Sequence, residues 1–227
     1  MTDEPAIHVI VLAAGEARRF GSPKQLARIG DRSMLATCIG RASQVAGHAV
    51  SVVLGAHAAQ IVPGLRHTGA AIVINREWRE GIASSIRAGI ASLSGAVDAA
   101  LLMLADLPDV TAEDLARLIA AWKRDPQAPA AAQFAGVVGP PAIFPRTLFR
   151  ELAELRGDHG ARRVLQRFAD RLQRVPMPSA ASDIDTPEDL LARDEAQRSS
   201  RPAALTQQEL QADTGPELTL AADEPPR

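Results

Sequence analysis

Residues 9–26 read VIVLAAGEARRFGSPKQL: an apolar run, a turn of small residues, then two spaced cations. Val9, Ile10, Val11 and Leu12 show no polar alternation, the pattern of a strand buried on both faces of a parallel sheet. Ala13, Ala14 and Gly15 end it abruptly. Side chains no larger than a methyl group let backbone N–H groups come close to a ligand, and successive N–H donors form an anion-binding concavity. Arg19 and Lys24 add positive charge just beyond. Any one of these features is what an ordinary strand end and solvated loop would carry; their combination points to a bound phosphate. The spacing fits neither the three-glycine dinucleotide fingerprint nor a P-loop, which needs Gly-Lys followed by Ser or Thr.

The bulk properties narrow the classes further. A chain of 227 residues with 46% hydrophobic content is long enough for one large α/β domain with a sizeable core. Its formal net charge of −2 gives no broad basic field, which argues against a nucleic-acid partner but leaves room for a small anion held by a few cations. Cys38 is the only cysteine, so no intramolecular disulfide forms and a cysteine zinc site is disfavoured. The first eight residues have neither the basic region nor the apolar length of a secretory signal. Asp98 and Asp106 interrupt the longest apolar stretch before it reaches the roughly 20 residues of a membrane span. The expectation is a cytoplasmic protein without a membrane partner.

Along the chain, residues 33–46 carry apolar side chains at helical spacing, 50–54 read as a strand, 57–62 as a short helix ended by Pro63 and Gly64, and 71–74 as a third strand. This alternation predicts βαβ units: a single doubly wound, mostly parallel sheet with helices on both faces, whose strand C-termini gather the ligand. Residues 75–89, NREWREGIASSIRAG, run from a strand end into a helix whose first turn holds Ala83, Ser84 and Ser85. They bring hydroxyls and free helix N–H groups to that edge. Residues 99–105 are a central strand. Asp106 follows it, before Leu107 and Pro108: a carboxylate placed either to cap the next turn or to meet a magnesium–nucleotide complex. Residues 111–122 form a helix with Thr111 as N-cap and Asp114 in the capping-box position. Residues 128–133 can be a strand, the Gly-Pro punctuation at 136–141 marks a loop, 145–155 a helix and 171–176 an edge strand. Thr186, Pro187 and Glu188 start a last helix. From residue 196 the pattern fails, so the domain is placed at 1–195 and a disordered tail at 196–227.

These stretches resemble the MobA-like nucleotidyltransferase family. Residues 12–24 match its LAAG-x-S-x-R-[MF]-G-x-x-K signature except at Ala17, where the family has Ser. Residues 75–85 match N-x-x-W-x-x-G-x-x-x-S through Asn75, Trp78, Gly81 and Ser85, and residues 183–189 match D-[IV]-D-T-P-E-D. Residues 136–141 resemble G-x-x-G-H-P with Pro140 in place of His. Residues 157–162 resemble the GD-x-GAR element of the molybdopterin-handling branch.

The resemblance implies a Rossmann-like nucleotidyltransferase fold and a Mg²⁺-dependent transfer of CMP from CTP to a phosphorylated acceptor with release of pyrophosphate. The LAAG form with GD-x-GAR downstream is similar to molybdenum cofactor cytidylyltransferases, which makes molybdopterin the expected acceptor and a molybdoenzyme a transient partner. Carried over residue by residue, Leu12, Ala13, Ala14, Gly15, Arg19, Lys24, Asn75 and Ser85 bind the nucleotide. Arg19, Lys24 and Asp106 serve catalysis, Asp106 and Asp185 hold the metal, and Asp158 and Arg162 grip the acceptor. Which of Ser84 and Ser85, and which of Asp183 and Asp185, faces the ligand is left open by the sequence. Two alternatives stand beside this reading: a cytidylyl- or uridylyltransferase acting on a sugar or polyol phosphate, and a nucleotide- or cofactor-binding carrier without turnover.

Overall fold

The computed structural model describes residues 4–200. In chain order the elements are β1 (Ile7–Ala13), the short strands β2 (Arg28–Ile29) and β3 (Arg32–Ser33), α1 (Met34–Ala46), β4 (Val50–Leu54), α2 (Ala58–Leu65), β5 (Ala71–Ile74), α3 (Ile82–Ala91), β6 (Ala99–Leu104), α4 (Ala112–Trp122), β7 (Ala130–Phe134), β8 (Val137–Pro145), α5 (Phe149–Ala153), α6 (Arg162–Arg167), β9 (Gln173–Pro176) and α7 (Pro187–Ser200). Seven strands form one sheet in the order β5-β4-β1-β6-β8-β7-β9. Pairing is parallel from β5 to β6, and β8 runs against both of its neighbours. The doubly wound, mostly parallel α/β sheet anticipated from the alternating pattern is the fold.

The uninterrupted apolar run of β1 is explained by cover on both faces. Val9, Val11 and Ala13 belong to a core built with α1, α2 and α4 through residues such as Ile39, Ile61, Leu118 and Trp122. Ile10 and Leu12 belong to the opposite core, against α3, α5 and α6 through Ile86, Leu152 and Leu165. Alternation of period two thus sends successive residues into two different cores, and both need apolar side chains. The register pairs Leu12 with Val53 on one side and Leu104 on the other, so the loop after β1 and the residues after β6 emerge side by side.

Helix starts follow local chemistry. Ser33 accepts a hydrogen bond from Ala36 N (3.2 Å) at the start of α1. Thr111 and Asp114 form the reciprocal capping box of α4, at 3.1 and 2.9 Å.

Two local expectations are corrected. Pro63 and Gly64 do not end α2, which runs through them to Leu65; Ile61 and Leu65, one turn apart, are both buried, and that packing outweighs the hydrogen bond a proline forfeits. Of the 136–141 stretch read as a loop, residues 137–141 belong to strand β8 and only Gly136 is in a turn. The β7–β8 register jumps from Ala131 opposite Ala142 to Ala132 opposite Gly139. Pro140 and Pro141, joined by a cis peptide, fall in that irregularity, where the ladder does not call on their missing N–H groups.

Residues up to Asp189 make one compact unit, and a second begins at Leu190. Helix α7 continues past residue 195 to Ser200. The disordered tail expected over 196–227 lies, from residue 201, outside the described residues. Among the described residues no helix is long and apolar enough to cross a membrane.

Candidate active site

At the C-terminal edge of β1 and β6 the loop after Ala13 borders a cavity of about 680 Å³, lined by Leu12, Ala13, Ala14, Gly15, Arg19 and Lys24 among others. Gln25, buried to 3% exposure, holds the loop in shape by donating Nε2 to the carbonyls of Ala13 (2.9 Å) and Gly15 (3.0 Å). Sequence reading missed this residue. Its signal was an amide next to Lys24, in the segment read as phosphate-binding. Ala17, where the family motif has Ser, adopts a left-handed backbone with φ +55°. Its carbonyl accepts from Phe20 N (3.0 Å) and Gly21 N (3.2 Å), closing the turn that carries Arg19.

The charged centre is formed by residues far apart in the chain. Lys24 Nζ donates to Asp106 Oδ2 at 2.8 Å, to Asp185 Oδ1 at 2.7 Å and to the Ile184 carbonyl at 3.0 Å. Arg19 pairs with the other oxygen of Asp185. Burial alone would pull the Lys24 ammonium down, but the carboxylates of Asp106 and Asp185 outweigh it and hold it above the ordinary lysine value. The hydrogen bond from Lys24 in turn holds the Asp185 carboxyl below the usual aspartate value against the opposing effect of burial. Asp106 Oδ1 is buried and has no hydrogen-bond partner.

Asp185, not Asp183, faces this centre, and Asp183 is exposed. The Asp185 and Thr186 N–H groups both donate to Asp189 Oδ2, at 3.0 and 2.8 Å, while Asp189 N donates back to Thr186 Oγ1 at 3.2 Å. The D-T-P-E-D run is therefore a helix start that also aims Asp185. Ile184 N donates to the Asp106 carbonyl at 3.0 Å, tying the two carboxylate-bearing segments together.

Asn75 does not line the cavity. It is buried, and Nδ2 donates to Ser84 Oγ (2.8 Å) and Ser85 Oγ (3.1 Å) while Oδ1 accepts from Glu77 N (2.9 Å). Ser84 donates to the Gly81 carbonyl at 2.8 Å, and Ser85 is the serine that borders the cavity. Trp78, part of the N-x-x-W motif, lines the cavity with Arg79 stacked over its ring at 4.2 Å. A side chain at Gly55 would meet Trp78 Cβ at 2.5 Å, so the absence of one at that position is what admits the indole.

The two acceptor residues expected from GD-x-GAR part company. Asp158 lines the main cavity; Arg162 lines a second one. Asp158 is seated by Gly81, whose φ is +115° and where a Cβ would fall 2.2 Å from Asp158 Oδ1 and 2.6 Å from the Gly157 carbonyl. Arg87 braces the same loop, donating Nη1 to the Leu155 carbonyl (2.9 Å) and forking onto Glu80 at 2.7 and 2.5 Å. Glu80 accepts from Gly157 N at 3.3 Å, and its carboxyl is held down to about 2, chiefly by Arg87.

Two carboxylates converging on one cation, with an unpartnered buried oxygen beside them, suit a hard divalent ion that completes its shell with phosphate and water. Small-residue backbone, Arg19 and Lys24 suit polyphosphate. The chain is 29% identical over 205 residues to the purine catabolism protein PucB of Bacillus subtilis (strain 168), a match covering 82% of this chain and 94% of that protein. It is 34% identical over 111 residues to the bifunctional enzyme IspD/IspF of Clavibacter michiganensis subsp. michiganensis (strain NCPPB 382), spanning 44% of this chain and only 26% of that enzyme. Among solved structures, Rv0371c from Mycobacterium tuberculosis H37Rv superposes with a TM-score of 0.74 at 28% identity, covering 84% of this chain and 98% of that one. The manganese complex of Rv0371C superposes with a TM-score of 0.67 at 27% identity and the same coverage of both chains. The model of the MobA-like NTP transferase domain matches residues 9–175, and the chain belongs to that family.

Proposed function

We propose that this nucleotidyltransferase moves CMP from CTP to a phosphorylated small-molecule acceptor of the molybdopterin type and releases pyrophosphate. The observation that carries the proposal is the meeting of Lys24 with Asp106 and Asp185, at 2.8 and 2.7 Å, directly beside the small-residue loop. An oxygen of the acceptor phosphate attacks the α-phosphorus, the bond from that phosphorus to the β-phosphate oxygen breaks, and pyrophosphate takes the electron pair. The chemistry needs position and charge neutralisation rather than a covalent nucleophile. The loop N–H groups at Ala13, Ala14 and Gly15 cradle the triphosphate, and Arg19 and Lys24 neutralise it. Asn75 holds Ser85 toward the base and ribose, and Asp158 and Arg162 meet the acceptor.

Asp106 and Asp185 are the residues that would hold Mg²⁺, and the similarity to Rv0371C, a protein solved in complex with manganese, supports the use of a divalent ion. When bound, the ion supplies Lewis-acid stabilisation of charge on the phosphates. A molybdoenzyme that receives the product would be a transient partner.

The test is pyrophosphate release by the full chain with CTP, Mg²⁺ and molybdopterin, each also omitted in turn. Release that requires all three is expected, with CTP preferred over GTP because Ala14 narrows the loop by one methyl. Comparable kcat/KM for GTP overturns the cytidylyl assignment. Turnover restored only by a sugar or polyol phosphate moves the acceptor, and tight CTP binding without turnover favours the carrier.

A further inference from the structure

Residues 105–110 join β6 to α4 without regular structure, and Ala105, Leu107, Pro108 and Val110 within them are buried. Backbone carbonyls in such a turn need donors from elsewhere. Helix α1 supplies them. Arg41, half-buried, donates Nη1 to the carbonyls of Pro108 and, at 2.8 Å, Val110. Cys38, three residues earlier on the same helix face, donates Sγ to the Ala105 carbonyl at 3.4 Å. From other directions Ala105 N donates to the Leu12 carbonyl at 3.1 Å and Ile184 N to the Asp106 carbonyl at 3.0 Å. The backbone on both sides of Asp106 is thereby pinned to β1, to α1 and to the segment that carries Asp185.

We infer that Arg41 is a positioning residue for Asp106, holding the turn behind it so that the carboxylate keeps the direction a divalent ion needs; the inference rests on the nucleotidyl-transfer reading above. Arg41 lies outside the lining of both cavities, so it acts through the turn and not on the ligand. The carboxylate needs such help. Among the described residues Lys24 is the one side chain bonded to it, through Oδ2, while Oδ1 is buried without a partner. Once that ammonium turns to phosphate, the aim of Asp106 depends on its backbone. One Arg41 nitrogen serves two carbonyls there, and a charged donor makes each bond roughly twice as strong as a neutral one. Loss of a group that orients a metal ligand lowers metal affinity or activity by about 10–100-fold.

The experiment compares three variants of the full chain. Arg41→Met removes both hydrogen bonds, Arg41→Lys restores a charged donor on a shorter stem, and Ala42→Gly weakens α1 at the neighbouring buried residue without touching the turn. The readouts are amide hydrogen exchange of residues 105–110, Mn²⁺ affinity by calorimetry without nucleotide, and steady-state turnover. In Arg41→Met, exchange should quicken tenfold or more, Mn²⁺ affinity should fall several-fold, and kcat should fall on the order of tenfold with the KM for CTP nearly unchanged. Arg41→Lys should lie between Arg41→Met and the parent. Ala42→Gly should melt at a lower temperature and move none of the three. Parental exchange and Mn²⁺ affinity in Arg41→Met, or the same pattern in Ala42→Gly, overturns the inference. Should Arg41→Met not fold, parental values in Arg41→Lys overturn it equally. Faster exchange and weaker Mn²⁺ binding in Arg41→Met, from a parent that releases no pyrophosphate with any acceptor, supports the brace and overturns only the transfer reading.

Discussion

Lys24 Nζ donates to Asp106 Oδ2 at 2.8 Å, joining the loop after β1 to the second residue beyond the end of β6. The same ammonium reaches Asp185 at 2.7 Å, so one cation separates two carboxylates that would otherwise repel each other. The centre is a receptor for positive charge, satisfied internally by Lys24; in the proposed reaction a metal would replace that ammonium as phosphates draw the lysine away.

Asp106→Asn is expected to abolish turnover while sparing the fold. Lys24 keeps Asp185 as a partner, so thermal melts should stay within a few degrees of the parent. Losing a ligating carboxylate removes several kcal/mol of transition-state charge stabilisation, a rate loss on the order of a thousandfold. Asp185→Asn should lose less, since an amide oxygen still ligates a hard cation. Near-parental turnover of Asp106→Asn at saturating Mg²⁺ would place the metal elsewhere.

Lys24→Met separates the two tasks of the lysine. Without the ammonium between Asp106 and Asp185, Mn²⁺ affinity measured by calorimetry without nucleotide should rise several-fold, because no internal cation competes for the carboxylates. Turnover should fall on the order of a hundredfold, since one charge-assisted contact to the triphosphate is gone. Weaker Mn²⁺ binding in the variant would show that the ammonium does not compete with the ion.

Gly81→Ala should unseat Asp158. The added Cβ meets Asp158 Oδ1 at 2.2 Å in a backbone with φ +115°, so the 157–158 loop must shift or the strain remain. A loss of about 1–3 kcal/mol in urea unfolding is expected. The KM for the acceptor should rise more than that for CTP; a selective rise for CTP instead would move Asp158 out of the acceptor site.

Acid stability gives a test of the Arg87 brace. The Glu80 carboxyl falls from 4.5 to about 2 in the folded chain, chiefly through its hydrogen bonds with Arg87. A depressed carboxyl contributes stability above its unfolded value and loses it as pH falls toward the folded one, because the unfolded chain then binds the extra proton. The contribution is therefore complete above about pH 4.5 and fades between about 4.5 and 2. Urea midpoints at pH 7 and pH 3 should differ less in Glu80→Gln than in the parent. An equal or larger difference in the variant would mean the brace does not titrate in this window.

Local rules made much of this protein legible. The β1 run, the capping box of Thr111 and Asp114, and the small-residue turn at Ala13, Ala14 and Gly15 are encoded within a few residues, by side-chain periodicity and backbone preference. The family resemblance likewise pointed to Lys24, Asp106 and Asp185 one by one. Their convergence is another matter. Lys24 and Asp185 are 161 residues apart and meet because the β1–β6 register sets two strand ends side by side and Ile184 bonds to the Asp106 backbone. The resemblance named Asp185 and Ser85 without excluding Asp183 and Ser84; the tertiary structure puts the first of each pair at the cavity, since each pair differs only in which way a turn or helix face points. It also parted Arg162 from Asp158, neighbours in one motif, because Ile82 and Leu104 line both cavities and separate strands and loops build the rest of each wall. Proline punctuation misled at 140–141 for the same reason: the cost of a missing N–H depends on whether the partner strand asks for it, and that is fixed only when the strands pair.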